Sequence, residues 1–416
     1  MAADLDDLIA YLDASPSPWH AVASTTERLD GFTPLAEHDE WSDVPSRGLV
    51  VRDAAVIAWS IPDGAAASTG FHIAGAHTDS PGLRVKPRPD TESIGWKQLA
   101  VEVYGGILNN TWLDRDLGVA GRLVAADGSE SLVDVAEPIA RVPQLAVHLD
   151  RGVNDTGLLL DSQRHLTPVW GVGVSQPGEF AEWIGGRAGL DRAPIWWDLC
   201  LYDVQGAAVI GADRSMLTSA RLDNQLSCWA ATVALRAADP HEQIALIVLN
   251  DHEEVGSAST TGAQGPFLET VLERLVLARG GTRDDLHRAL STSACVSADN
   301  AHAVHPNYVE RHEPSHRPIA NAGPAIKINA NQRYATSATT AARFQQACEH
   351  AGVPWQVFVG RNNMPCGSTI GPVTATRLGI DTVDVGVPQL SMHSARELCG
   401  VDDPLHLAAA LGSYFS

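Results

Sequence analysis

Apolar and polar positions follow two different rhythms along this chain. Leu5, Leu8, Ile9 and Leu12 recur at helical spacing and predict an amphipathic helix, which the run Ser15-Pro16-Ser17-Pro18 stops. Apolar runs at 71–76, 244–249, 355–359 and 382–387 predict buried strands, each followed by polar residues. Helical patterns occupy 225–237, 266–277 and 339–350. Strands alternating with helices predict an α/β fold, a largely parallel sheet with helices on both faces. In such sheets ligands gather at the carboxyl ends of the strands, so the polar motifs after the apolar runs are where chemistry is expected.

The middle of the chain reads differently. Between about 87 and 219 there are short β-like runs at 99–104, 121–125, 131–135 and 199–204, many Gly and Pro, and little helical periodicity. This predicts a β-rich domain, 87–219, inserted into a discontinuous one formed by 1–86 and 220–416.

Composition narrows the function classes. Fifty acidic against 29 basic side chains leave a net charge of −21, which argues against nucleic acid or an anionic membrane as partner. No stretch approaches about 18 apolar residues, and the N-terminus is acidic where a secretory leader is basic. Six cysteines without CxxC spacing suggest neither a disulfide framework nor a cysteine zinc site. A cytoplasmic enzyme is the expectation.

Five polar positions after predicted strands could share one chemistry. His77 follows 71–76 and has Asp79 two residues on, a carboxylate placed to orient a metal-bound imidazole. Asp223 precedes a helix, where an N-cap is the plainer reading. After 244–249 come Asp251, Glu253 and Glu254, ending at Gly256. Adjacent glutamates suit two-metal hydrolysis, with one binding an ion and its neighbour taking a proton from water. Asp299 follows the apolar 294–296, and His393 follows 382–387. Singly these read as caps, loops or packed histidines. Together His77, Asp223, Glu254, Asp299 and His393 suit two ions sharing a carboxylate, and the nitrogen and oxygen donors favour zinc, with manganese or cobalt as alternatives.

The chain resembles the aspartyl aminopeptidase family along nearly its whole length. The resemblance rests on AHTDSPGLRVKP (76–87), QLAVHLDR (144–151), SARLDNQLS (219–227), NDHEEVGS (250–257), SADNAHAVHPNY (297–308), KINANQRYAT (327–336), MPCGSTIGP (364–372) and SMHSARE (391–397). It implies a three-layer α/β/α catalytic domain with an inserted β-rich dimerisation domain, and dimers gathered into a tetrahedral dodecamer. It further implies that His77 binds one zinc and His393 the other, with Asp223 bridging. Glu254 and Asp299 would complete the ligand set, Glu253 would be the general base, and Asp79 would support His77. His302, Lys327 and Tyr334 match substrate-contacting positions. His148 would reach a neighbouring subunit's site to contact substrate, contact with metal being the alternative.

The family's preference is for peptides beginning with Asp or Glu, which a chain of charge −21 repels at long range. Salt screens this beyond about 8–10 Å, so a local cation is required. Lys327 is the first candidate and Arg361 the second. A broad-specificity aminopeptidase, a deacylase of acylated amino acids and a catalytically silent assembly protein are the rival readings.

Overall fold

The computed structural model describes residues 4–416; the first three residues of the acidic N-terminus lie outside it. A central sheet carries nine strands in the order Thr33–Pro34, Arg47–Arg52, Ala55–Ser60, Ile244–Asn250, Phe71–His77, Ala294–Ala298, Asp381–Gly386, Ala325–Ile328 and Gln356–Val359. The four strands from Ile244–Asn250 to Asp381–Gly386 run parallel. Their neighbours Ala55–Ser60 and Ala325–Ile328 are antiparallel to them. The sheet is therefore mixed: its centre is parallel, and so is the pair at each edge, Thr33–Pro34 with Arg47–Arg52 and Ala325–Ile328 with Gln356–Val359. On one flank the cause is local: Asp53 and Ala54 alone join Arg47–Arg52 to Ala55–Ser60, and so short a turn permits only antiparallel pairing.

Alternation along the central strands shows why helices cover both faces. In Ile244–Asn250, Ala245, Ile247 and Leu249 pack with Leu226, Trp229 and Leu411. Ile244, Leu246 and Val248 point the other way, against Phe267, Leu272 and Leu275. A strand buried on both faces needs no polar alternation, which is why it reads as one apolar run. Helices Leu222–Ala237, Ala338–Ala351 and Asp403–Phe415 cover one face; Phe267–Ala278 and Arg283–Ser291 cover the other. Ser17 caps the helix Pro18–Arg28, so the Ser-Pro run that ends the first helix also starts the second.

The β-rich insert is a six-stranded antiparallel sheet made within residues 82–203, with the helix Glu179–Arg187 on it. Its first hairpin starts at Gly82, which pairs with Tyr104. The strands Ala208–Ile210 and Met216–Ser219 do not join it. They pair with a third, five-stranded sheet that includes Glu397–Gly400, Pro388–Leu390 and Ala301–His302. Among the described residues no helix is long and apolar enough to cross a membrane.

Candidate metal centre

Strand register brings the predicted residues together. His77 is the last residue of its strand and pairs with Asn250, while Ala298 pairs with Val385, so the parallel strands end at one level. Beyond Asn250 the chain turns through His252 (φ 61°), a single helical turn Glu253–Val255, and Gly256 (φ 97°). The left-handed backbone at Gly256 suits glycine. This tight turn points Glu253 and Glu254 back over the strand ends.

Three trios of ligand-type groups result, two of them sharing Asp223 and the third made of His77, Glu253 and Glu254. His77 Nε2 lies 3.5 Å from Asp223 Oδ1 and 3.8 Å from Asp299 Oδ1. His393 Nε2 lies 3.7 Å from Asp223 Oδ2 and 3.4 Å from Glu254 Oε2. Asp223 is common to both, offering one oxygen to each. Glu253 approaches His77 and Glu254 but belongs to neither trio that contains Asp223. Asp251 is buried and lies outside all of these groups.

Asp223 is not a helix cap. Its side chain accepts from no backbone N–H of the helix, and its buried Oδ1 has no hydrogen-bond partner. A buried carboxylate oxygen without a donor is costly, and a cation between the two histidines would satisfy it. The donor set, two imidazoles and three carboxylates without a thiolate, fits divalent zinc in a catalytic setting. The residues present therefore fit the metal that the sequence suggested.

Charge in the cluster follows from crowding. Burial opposes protonation of His77, yet Asp223, Asp299 and Asp79 outweigh it and hold the imidazole well above its usual range. Burial, with the neighbouring Asp223, pushes Glu254 well up. Burial likewise raises Glu253 to about 8, with Asp299, Asp79 and Asp223 adding to it against His77. Burial would raise Asp299 too, but Lys327 and His77 hold it down at about 2.

The supports are specific. Asp79 faces His77 Nδ1 at 3.3 Å through Oδ1, and its backbone carbonyl lies 3.0 Å from the same nitrogen. Asp79 also accepts from the backbone N–H of Glu253 and of Glu254, each at 3.1 Å, and from the Tyr104 hydroxyl at 2.7 Å. His393 Nδ1 meets the Gly106 carbonyl at 2.9 Å, which fixes Nε2 as the free nitrogen. Tyr104 and Gly106 belong to the root of the insert's first hairpin, and no spacing in the sequence pointed to them.

An open cleft of about 430 Å³ lies over the cluster. His302, Lys327 and Tyr334 line it with the five ligand-type residues and Glu253. Lys327 is only 2% exposed, so it is no solvated surface lysine. Its Nζ lies 3.8 Å from Asp299 Oδ2, donates to the Asn300 carbonyl at 3.3 Å and sits 4.9 Å from the centre of the Tyr334 ring. Ser368 and Thr369 complete one wall. Arg361 does not reach the cleft: it lines a separate depression, donating to the Glu310 carbonyl and to Asn363. His148 is exposed and is not among the residues lining this cleft; it sits on a loop with Leu145, Val147 and Leu149 exposed around it.

Known proteins match this chain from end to end. Residues 11–415 match the family model described as aminopeptidase I zinc metalloprotease (M18). A relative in Streptomyces coelicolor, "Probable M18 family aminopeptidase 2", is 54% identical over 417 residues, covering 98% of this chain and 96% of that protein. The structure titled "Cryo-EM structure of the Ape4 and Nbr1 complex" aligns with a TM-score of 0.94 at 34% identity, over 99% of this chain and 85% of that one. A structure titled as the S. cerevesiae mApe1 dodecamer aligns at 0.85 and 28% identity, over 99% and 95%.

Proposed function

The chain belongs to the M18 family of zinc aminopeptidases, and on that premise we propose that it removes N-terminal residues, preferentially Asp or Glu, with two zinc ions and Glu253 as general base. The observation that carries this reading is Asp223, whose two oxygens face His77 on one side and His393 on the other. His77 and Asp299 would hold one ion, His393 and Glu254 the second, and Asp223 both; manganese or cobalt are alternative occupants. When bound, the ions supply an activated water and polarise the scissile carbonyl. Glu253 takes the proton from that water and returns it to the leaving amine. Its carboxyl lies outside the Asp223 trios yet beside His77 and Glu254, within reach of a water held there. Asp79 keeps His77 in the tautomer that leaves Nε2 free.

Substrate contact is assigned to His302, Lys327 and Tyr334. Lys327 is the one lysine or arginine lining the described cleft, which supports its reading an acidic first side chain. His148 is proposed to act in a neighbouring subunit's site, since it is exposed and outside its own cleft. The β-rich insert would then be the dimerising element; the dodecamer named for mApe1 supports a twelve-subunit assembly here, which we propose is built of dimers with tetrahedral symmetry. Six free cysteines support residence in the reducing cytoplasm.

Purified protein would be offered Asp-, Glu-, Leu- and Ala-terminated peptides, before and after chelation and zinc restoration. Metal-dependent release with Asp or Glu fastest is expected. Leu faster than Asp would leave an aminopeptidase without acidic preference, and no release by zinc-loaded protein would sink the reading.

A further inference from the structure

Two buried carboxylates outside the five ligand-type residues grip the backbone that carries them. One is Asp79, which takes the amides of Glu253 and Glu254. The other is Glu397. Its Oε2 accepts from the backbone N–H of Asp223 at 2.9 Å, and its Oε1 from that of His393 at 2.7 Å. We propose that Glu397 is a positioning residue for the His393 side of the metal centre, setting the distance between Asp223 and His393. The proposal rests on the two-ion reading above.

The third sheet explains how one side chain reaches both residues. Met216–Ser219 leads into Asp223, and Pro388–Leu390 leads towards His393. Glu397–Gly400 lies between these two strands and pairs with both: Ser219 with Glu397, and Leu390 with Leu398. Glu397 thus stands at the strand end where both ligand-bearing segments leave the sheet. Those segments leave on irregular backbone. Ser391 (φ 58°) and His393 (φ 66°) are left-handed, and Asp223 is non-helical. Such conformations persist only where the surroundings impose them, and a doubly bonded buried carboxylate does so.

Glu397 is not a sixth ligand. Both of its oxygens face amides, it is 2% exposed, and it joins none of the metal-type groups among the described residues. Its action is through Asp223 and His393.

The test is Glu397→Gln, which keeps shape but turns an amide NH2 towards one of the two N–H groups. Cobalt would be titrated into metal-free wild type and variant, reading stoichiometry, chelator-competed affinity and the visible cobalt spectrum, with kcat and KM measured on zinc-loaded protein. Removing such supports typically costs roughly 10–100-fold in metal affinity. The variant should lose about that much at one of two sites, show an altered cobalt spectrum and lose kcat more than KM. Should the glutamine variant not fold, Glu397→Asp keeps the charge but withdraws it from the amides, and the same losses are expected. Two sites of wild-type affinity with an unchanged spectrum in a folded variant would overturn the proposal. Wild type that binds a single cobalt would instead remove the two-ion reading, and the proposal with it.

Discussion

The Tyr104 hydroxyl donates to the Asp79 carboxylate at 2.7 Å, so a side chain of the inserted sheet fixes a carboxylate beneath the metal centre. Asp79 Oδ2 also takes the Glu254 amide, and the two donors together hold the carboxylate plane. Replacing Tyr104 with Phe removes one donor and little volume. We expect kcat to fall about 10-fold with metal content intact, a magnitude typical of groups that orient ligands. Unchanged kcat in a Tyr104→Phe protein would show that the backbone amides alone suffice.

Glu253→Gln should remain folded and bind metal as the wild type does, because its amide still donates to Asp79 and the Asp223 trios are intact. Turnover should drop at least ~10²-fold with loss of the proton acceptor. Metal analysis beside steady-state kinetics checks both halves; a variant that loses metal in step with activity would make Glu253 a ligand.

Metal uptake should release protons. In the metal-free cluster burial is outweighed at His77 by Asp223, Asp299 and Asp79, so the imidazole keeps its proton at neutral pH. Burial and neighbouring acids likewise hold protons on Glu254 and Glu253. A metal must displace protons from the groups it binds, so apparent affinity rises with pH and weakens as pH falls. Calorimetry at pH 7 in two buffers of different ionisation enthalpy reads this directly; a buffer-independent binding heat would contradict it.

Lys327→Gln should narrow the preference for acidic substrates. A hydrogen bond to a charged group is worth about 1.5–3 kcal/mol, or roughly 10–100-fold. The ratio of kcat/KM for Asp- over Leu-terminated peptide should fall within that range. Because Lys327 also faces Asp299, kcat on both peptides should drop as well. A preserved ratio would assign side-chain recognition to another group.

The main strands of the centre were legible because burial on both faces writes them as largely apolar runs, as in Phe71–His77 and Ile244–Asn250. The runs at 71–76, 244–249 and 382–387 each led to a ligand-type residue beyond their ends, which is where an α/β sheet places sites, while 355–359 did not. The third sheet was not legible. Its strands are two to four residues long, and Met216–Ser219 pairs with Glu397–Gly400 from the far end of the chain. No local pattern encodes such a pairing, so Glu397 looked like any solvated glutamate. Asp223 was half legible: its place before a helix suggested a cap, and only its unpartnered oxygen shows otherwise. Lys327 gave no sign of burial either, since its strand is four residues with its charge third.

The third sheet also sets when the centre can come into being. His77 and Asp79 are made about three hundred residues before Glu397–Gly400, the strand that braces Met216–Ser219 and follows close behind His393. Until then Asp223 lacks its amide acceptor, and the cluster has one histidine in place of two. A chain that stops short of Glu397 would carry an unfinished centre, without the acceptor that holds both Asp223 and His393.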